Sequence, residues 1–189
     1  ASEAALVNAP GDPYVEVLAG LERVRVRYLM IGAMGIGEHF RAGSNHIVTN
    51  DCDLMLPRDV VSVAAAIGLL QQLGFGLSAG GEPLVEPDDV IFAGIVRNGA
   101  CVRGTKDTTV IDLVLHAVEL DFEAMWPRQR LFVYGGHPTR VAPLEDLIAS
   151  KRAAGRTKDK LFLEQFREII EELQARERRE GPAQPPTGT

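Results

Sequence analysis

Apolar residues along this chain recur at two spacings, every second position in short runs and every third or fourth in longer ones, which predicts strands alternating with helices. Val15, Val17, Leu18 and Leu21 form a helical stripe to about Arg23, opened by Asp12 as cap and Pro13 at the first helical position. Residues 27–31 read as a short strand that stops at Gly32, and the glycine-rich stretch 33–40 as a helical turn after it. A polar loop over 41–50, with Gly43-Ser44-Asn45 in its middle, delivers the chain to a second strand at 51–56. Its period of two sends Asp51, Asp53 and Met55 to one face and Cys52, Leu54 and Leu56 to the other. Val60, Val63, Ala64, Ile67, Leu70 and Leu73 predict a helix over 58–73, ended by Gly74.

Further on, Gly80-Gly81-Glu82-Pro83 and Glu86-Pro87-Asp88-Asp89 bracket a loop or hairpin, and residues 90–92 and 94–97 read as strands. Residues 108–115 are a β-branched strand holding one acid, Asp112. A short helix over 119–125, a hairpin joining 131–134 to 139–141, and a helix from Pro143 to near Gly155 follow. The longest helical pattern runs over 158–178 with Leu161, Phe162, Phe166, Ile169, Ile170 and Leu173 on one face. This order predicts an α/β (α+β) fold, a small mixed β-sheet with flanking helices. One domain is expected over 12–178, with a core over 25–142, C-terminal helices over 143–178, and flexible termini at 1–11 and 179–189.

Composition narrows the function more than the fold. The formal net charge of -6 argues against indiscriminate coating of nucleic acid, although a local basic patch leaves RNA open as a partner. Cys52 and Cys101 form no recurring ligand spacing, so neither a zinc site nor a disulfide framework is indicated, and a reducing compartment fits. No apolar run approaches the roughly 18 residues of a membrane helix, and the Ala1-Ser2-Glu3 start lacks the basic and apolar regions of a signal peptide. A cytoplasmic protein without a membrane partner is expected. The four histidines, His39, His46, His116 and His137, show no ligand spacing and are expected in turns or at the surface; Met30, Met34, Met55 and Phe40 are expected in the core.

The candidate chemistry lies in three acids and one turn. Asp51 and Asp53 on one strand face repel each other, and a partly buried pair of this kind calls for a metal, a basic partner or a trapped proton. Gly32, between a strand and a helix start, offers backbone N–H groups and the positive end of a helix dipole to a phosphate. Asp112 has three readings, a third acid converging on the pair, an edge-strand gatekeeper or a carboxylate paired with an arginine. Three carboxylates beside a phosphate-binding turn suit Mg2+ or Mn2+, a triphosphate and an in-line displacement, with Asp112 as both ligand and candidate base.

These pieces resemble the nucleotidyltransferases with the DNA-polymerase-beta type catalytic fold, especially small bacterial ones related to abortive-infection toxins. The likeness rests on Ile31-Gly32-Ala33, on Thr49-Asn50-Asp51-Cys52-Asp53-Leu54, on Val110-Ile111-Asp112-Leu113 and on residues 144–151 ending in Lys151, and spans roughly residues 25–175. It implies that Gly32 and Ala33 hold nucleotide phosphates, that Asp51, Asp53 and Asp112 bind metal and carry catalysis, and that Lys151 contacts phosphate, with Asp146, Arg156 and Lys158 in support. It further implies an NTP substrate such as ATP, a hydroxyl acceptor on tRNA, a protein or a small molecule, and a cognate antitoxin. Three features depart from the family pattern: Ala33 in place of a second Gly or a Ser, the long loop before Asp51, and Ile47 where an Arg is common. They motivate the alternative of a catalytically silent nucleotide-binding or protein-interaction module on the same fold.

Overall fold

The computed structural model describes residues 11–42, 49 and 51–180. The loose arm expected at the start of the chain, the Gly43-Ser44-Asn45 loop with Ile47, and the tail beyond residue 180 lie outside the described residues.

Strands β1 (Leu29–Ile31), β2 (Asp51–Met55), β3 (Gly76–Ala79), β4 (Glu82–Pro83), β5 (Val102–Lys106), β6 (Thr109–Val114), β7 (Arg130–Tyr134) and β8 (His137–Val141) form one mixed sheet in the order β4-β3-β5-β6-β2-β1-β8-β7. The helices are α1 (Pro13–Arg23), α2 (Gly32–Ala42), α3 (Val60–Gln72), α4 (Asp89–Asn98), α5 (Phe122–Met125), α6 (Leu144–Ala154), α7 (Thr157–Gln165) and α8 (Arg167–Glu180). At the centre, β2 runs parallel to β6 and antiparallel to β1, so the acidic start of β2 lies beside the end of β1, where α2 begins.

Local signals fix most boundaries. Asp12 caps α1 by accepting from the Tyr14 N–H, and Asp59 caps α3 by accepting from the Ser62 N–H. Gly135 and Gly136, both at positive φ, turn β7 into β8 as a tight hairpin requires. The core gathers Val17, Leu18 and Leu21 of α1, Ile67 and Leu70 of α3, and Cys52, Leu54, Ile111 and Leu113 from one face of β2 and β6. Met30, Met34, Met55 and Phe40 are buried in it as expected.

Three expected elements differ. Residues 90–92 and 94–97 are not strands but the body of α4: Asp88 accepts from the Ile91 N–H at one end and Gly99, at φ 61°, closes the other, and these caps override the β-branched composition. The single helix expected over 158–178 is two helices broken at Phe166, whose ring packs 5.3 Å from Phe40 and 4.9 Å from Phe162, while Leu161 of the expected apolar face stays exposed. His39 is no surface residue: it is buried, its Nε2 2.9 Å from the Ala142 carbonyl and its Nδ1 3.0 Å from Glu177. Strand β5, Val102–Lys106, has no counterpart in the sequence reading.

Candidate active site

Pairing register settles which side chains share a face. Asp53 is paired with Asp112 across the parallel β2–β6 ladder, and Arg103 of β5 with Asp112 across the antiparallel β5–β6 ladder. Side chains at paired positions project to the same side of a sheet, so Asp51, Asp53, Asp112 and Arg103 occupy one face, opposite Cys52 and Leu54. The expected alternation along 51–56 is thus observed: Asp51 is exposed, Asp53 half-buried, and Cys52 and Leu54 fully buried.

Gly32 begins α2 directly beside this face. Its φ of 65° is left-handed, and a Cβ added there would lie 2.0 Å from the Asp53 Oδ2. Only glycine admits both that backbone and that neighbour. One turn on, a Cβ on Gly35 would lie 2.9 Å from the Met30 carbonyl, so a second glycine lets α2 sit tightly on β1.

A cleft of about 290 Å³ opens between the first turn of α2, the start of β2 and the first turn of α7. Gly32, Ala33, Asp51, Asp53, Lys151, Arg156 and Lys158, seven of the residues singled out from sequence, line it. Two helix N-termini and three cations line it with three acids, Asp51, Asp53 and Asp159, an arrangement able to hold phosphate groups against a cation. Asp146 does not line it; both its oxygens accept from Arg128, at 2.9 Å each.

Asp112 is likewise absent from the lining. It is buried, and its two oxygens accept from Arg103 Nε at 2.8 Å and Nη2 at 2.6 Å, a bidentate pair. Hydrogen bonding and charge from Asp112 raise the Arg103 pKa further. The arginine-partner reading of Asp112 is therefore the one observed. Asp53 carries the cost of its surroundings: burial, then the charges of Asp112 and Asp51, push its pKa up to about 6.

Fit to a divalent ion follows from this donor set. Among the described residues no group of three His, Cys, Asp or Glu side chains is disposed to hold a metal, so the expected three-acid ligand set is not assembled. Asp51 and Asp53 remain as two adjacent carboxylates whose mutual repulsion a divalent ion would relieve. Mg2+ is commonly held by one or two carboxylates together with substrate phosphates and water, and the pair fits that demand.

Sequence reasoning missed two members of this neighbourhood. Arg103 lay in the unrecognised strand β5; the signal for it was the acid inside 108–115, which required a partner. Asp159, buried in the first turn of α7, accepts from Lys151 Nζ at 2.9 Å and sits 3.9 Å from Arg156, while Lys151 Nζ lies 4.8 Å from the Phe162 ring centre. Asp159 thus orients the lysine at the cleft wall. Asp159→Asn is expected to destabilise the fold by about 1–2 kcal/mol, reduced from the cost of a fully buried pair because Lys151 is partly solvated, and to weaken nucleotide binding. Thermal melts and calorimetric titration with an NTP check both effects.

No family model matches the chain, and no curated protein matches its sequence. Among solved structures, the lincomycin-bound lincosamide antibiotic adenylyltransferase LnuA overlaps with a TM-score of 0.49 at 12% identity, over 75% of this chain and 85% of that one. ANT(2")-Ia in complex with adenylyl-2"-tobramycin overlaps with a TM-score of 0.49 at 16% identity, over 85% of this chain and 91% of that one. Overlaps at these identities assign no activity to this chain, and the functional reading rests on the cleft. Among the described residues no helix is long and apolar enough to cross a membrane.

Proposed function

We propose that the chain is a nucleotidyltransferase, moving a nucleoside monophosphate from an NTP to a hydroxyl acceptor. The observation that carries this reading is the single cleft that joins the Asp51 and Asp53 carboxylates to the Gly32-Ala33 turn and to Lys151, Arg156 and Lys158. Amide groups at the start of α2 take phosphate oxygens, and Lys151, fixed by Asp159, adds a positive charge beside them. The acceptor oxygen forms its bond to the α-phosphorus as the bond from that phosphorus to the bridging oxygen breaks. Pyrophosphate leaves and the hydroxyl proton passes to a carboxylate or water. Asp51 and Asp53 would hold Mg2+ or Mn2+, which when bound offsets charge building on the phosphates.

The acceptor class carried from sequence is tRNA, protein or a small molecule, with a toxin role and an antitoxin partner as the finer form of the same reading. Incubation with each labelled NTP, Mg2+ and these acceptors in turn tests it. Label transferred to one of them with release of pyrophosphate is expected. Absence of transfer to every acceptor, with NTP binding intact, would sink the transferase reading.

A second reading is favoured by one observation, the Arg103 clamp on both oxygens of Asp112. Both oxygens of that carboxylate already accept from the guanidinium, an engagement that a silent nucleotide-binding module would tolerate. NTP binding that persists without divalent ions, and survives Asp51→Asn and Asp53→Asn, marks this second case.

A further inference from the structure

Register within its own strand sets Arg103 beside Asp112. Its side chain is 53% exposed and spends two of its donors on one buried carboxylate. Planar guanidinium and carboxylate groups match in a fork that a lysine cannot reproduce. The carboxylate it covers is the one that register places beside Asp53. Were Asp112 free, Asp51, Asp53 and Asp112 would form a cluster of three acids on adjacent strands, with the charge to draw more than one divalent ion.

We propose that Arg103 is a built-in cation that substitutes for a second metal ion, so that the resting site takes one divalent ion on Asp51 and Asp53 and no more. The guanidinium neutralises Asp112 without occupying the cleft, whose lining includes Asp51 and Asp53 but neither Asp112 nor Arg103. It acts through Asp112, and is a positioning residue. The inference rests on the metal-binding part of the proposed function and is independent of whether transfer occurs.

Mn2+ titration followed by electron paramagnetic resonance of the free ion, without nucleotide, tests it by stoichiometry. The wild-type chain is expected to bind one Mn2+, and Arg103→Ala two. Arg103→Lys, which keeps the charge and loses the fork, is expected to fall between them in affinity for the second ion. In Arg103→Ala combined with Asp112→Asn the second ion should be lost again, which ties it to that carboxylate. Circular dichroism on each variant verifies the fold. One ion in both wild type and Arg103→Ala, or two in both, overturns the substitution while leaving the metal-binding reading standing. No ion in either overturns the substitution, and the metal-binding reading falls with it when a non-hydrolysable NTP brings no ion to Asp51 and Asp53 either.

Discussion

Gly32→Ala is expected to abolish nucleotide binding while leaving most of the sheet intact. Two independent costs fall on the same atom. A φ of 65° costs an L-residue about 1–2 kcal/mol relative to glycine, and the new Cβ would lie 2.0 Å from the Asp53 Oδ2. No van der Waals contact is that short, so either the start of α2 retreats from β2 or Asp53 leaves its position. Both outcomes damage the same cleft, since α2 supplies the phosphate-facing amides and Asp53 half of the carboxylate pair. Calorimetric titration with an NTP and Mg2+ should show binding below detection, and denaturant unfolding a loss of about 2–4 kcal/mol. Binding and stability equal to wild type would mean that Gly32 neither shapes the cleft nor touches Asp53.

Asp53→Asn is expected to trade function for stability. Burial and two neighbouring carboxylates raise the Asp53 pKa from 3.8 to about 6. Between those values the folded chain holds a proton that the unfolded chain has released, so stability falls as pH rises through this window and stays low above it. A shift of that size corresponds to about 2–3 kcal/mol. An amide, carrying no charge, escapes the penalty. The variant should therefore unfold at higher denaturant than wild type at pH 7.5 and lose most of that advantage at pH 4. Transfer and metal binding should meanwhile fall by about a hundredfold or more, the scale for losing one electrostatic contributor to a reaction centre. A variant less stable than wild type at pH 7.5 would contradict the charge crowding on this face.

Two acids one residue apart in an apolar run were legible as an oddity because charge is expensive in a half-buried strand, and the structure places that expense on Asp53. Gly32 was legible for the same kind of reason, as a glycine between a strand and a helix. Pairing between distant strands was not legible. Nothing local to Cys101-Val102-Arg103-Gly104 signals a strand, because its alternation is short and its glycine packs closely beneath Leu70 and Leu77. Without β5 there was no way to bring Arg103 to Asp112, and the acid defaulted to a third ligand. The strands expected at 90–97 failed from the opposite cause: β-branched composition is a weak preference, and an Asp88 cap with a left-handed Gly99 outweighs it. The break at Phe166 was invisible because the helical period continues through it, and the contact of its ring with Phe40 joins residues far apart in sequence.

That break has a consequence for conditions of use. Phe40 belongs to α2, and Phe162 and Phe166 to α7 and its end, so stacked and edge-on rings connect the two helices whose first turns face each other across the cleft. Ring contacts are indifferent to ionic strength, whereas Arg156 and Lys158 at the rim are screened by it. Added salt should therefore thin the attraction for phosphate while the span between the two helix starts keeps its width, so that a ligand lost at high salt finds the same opening on dilution.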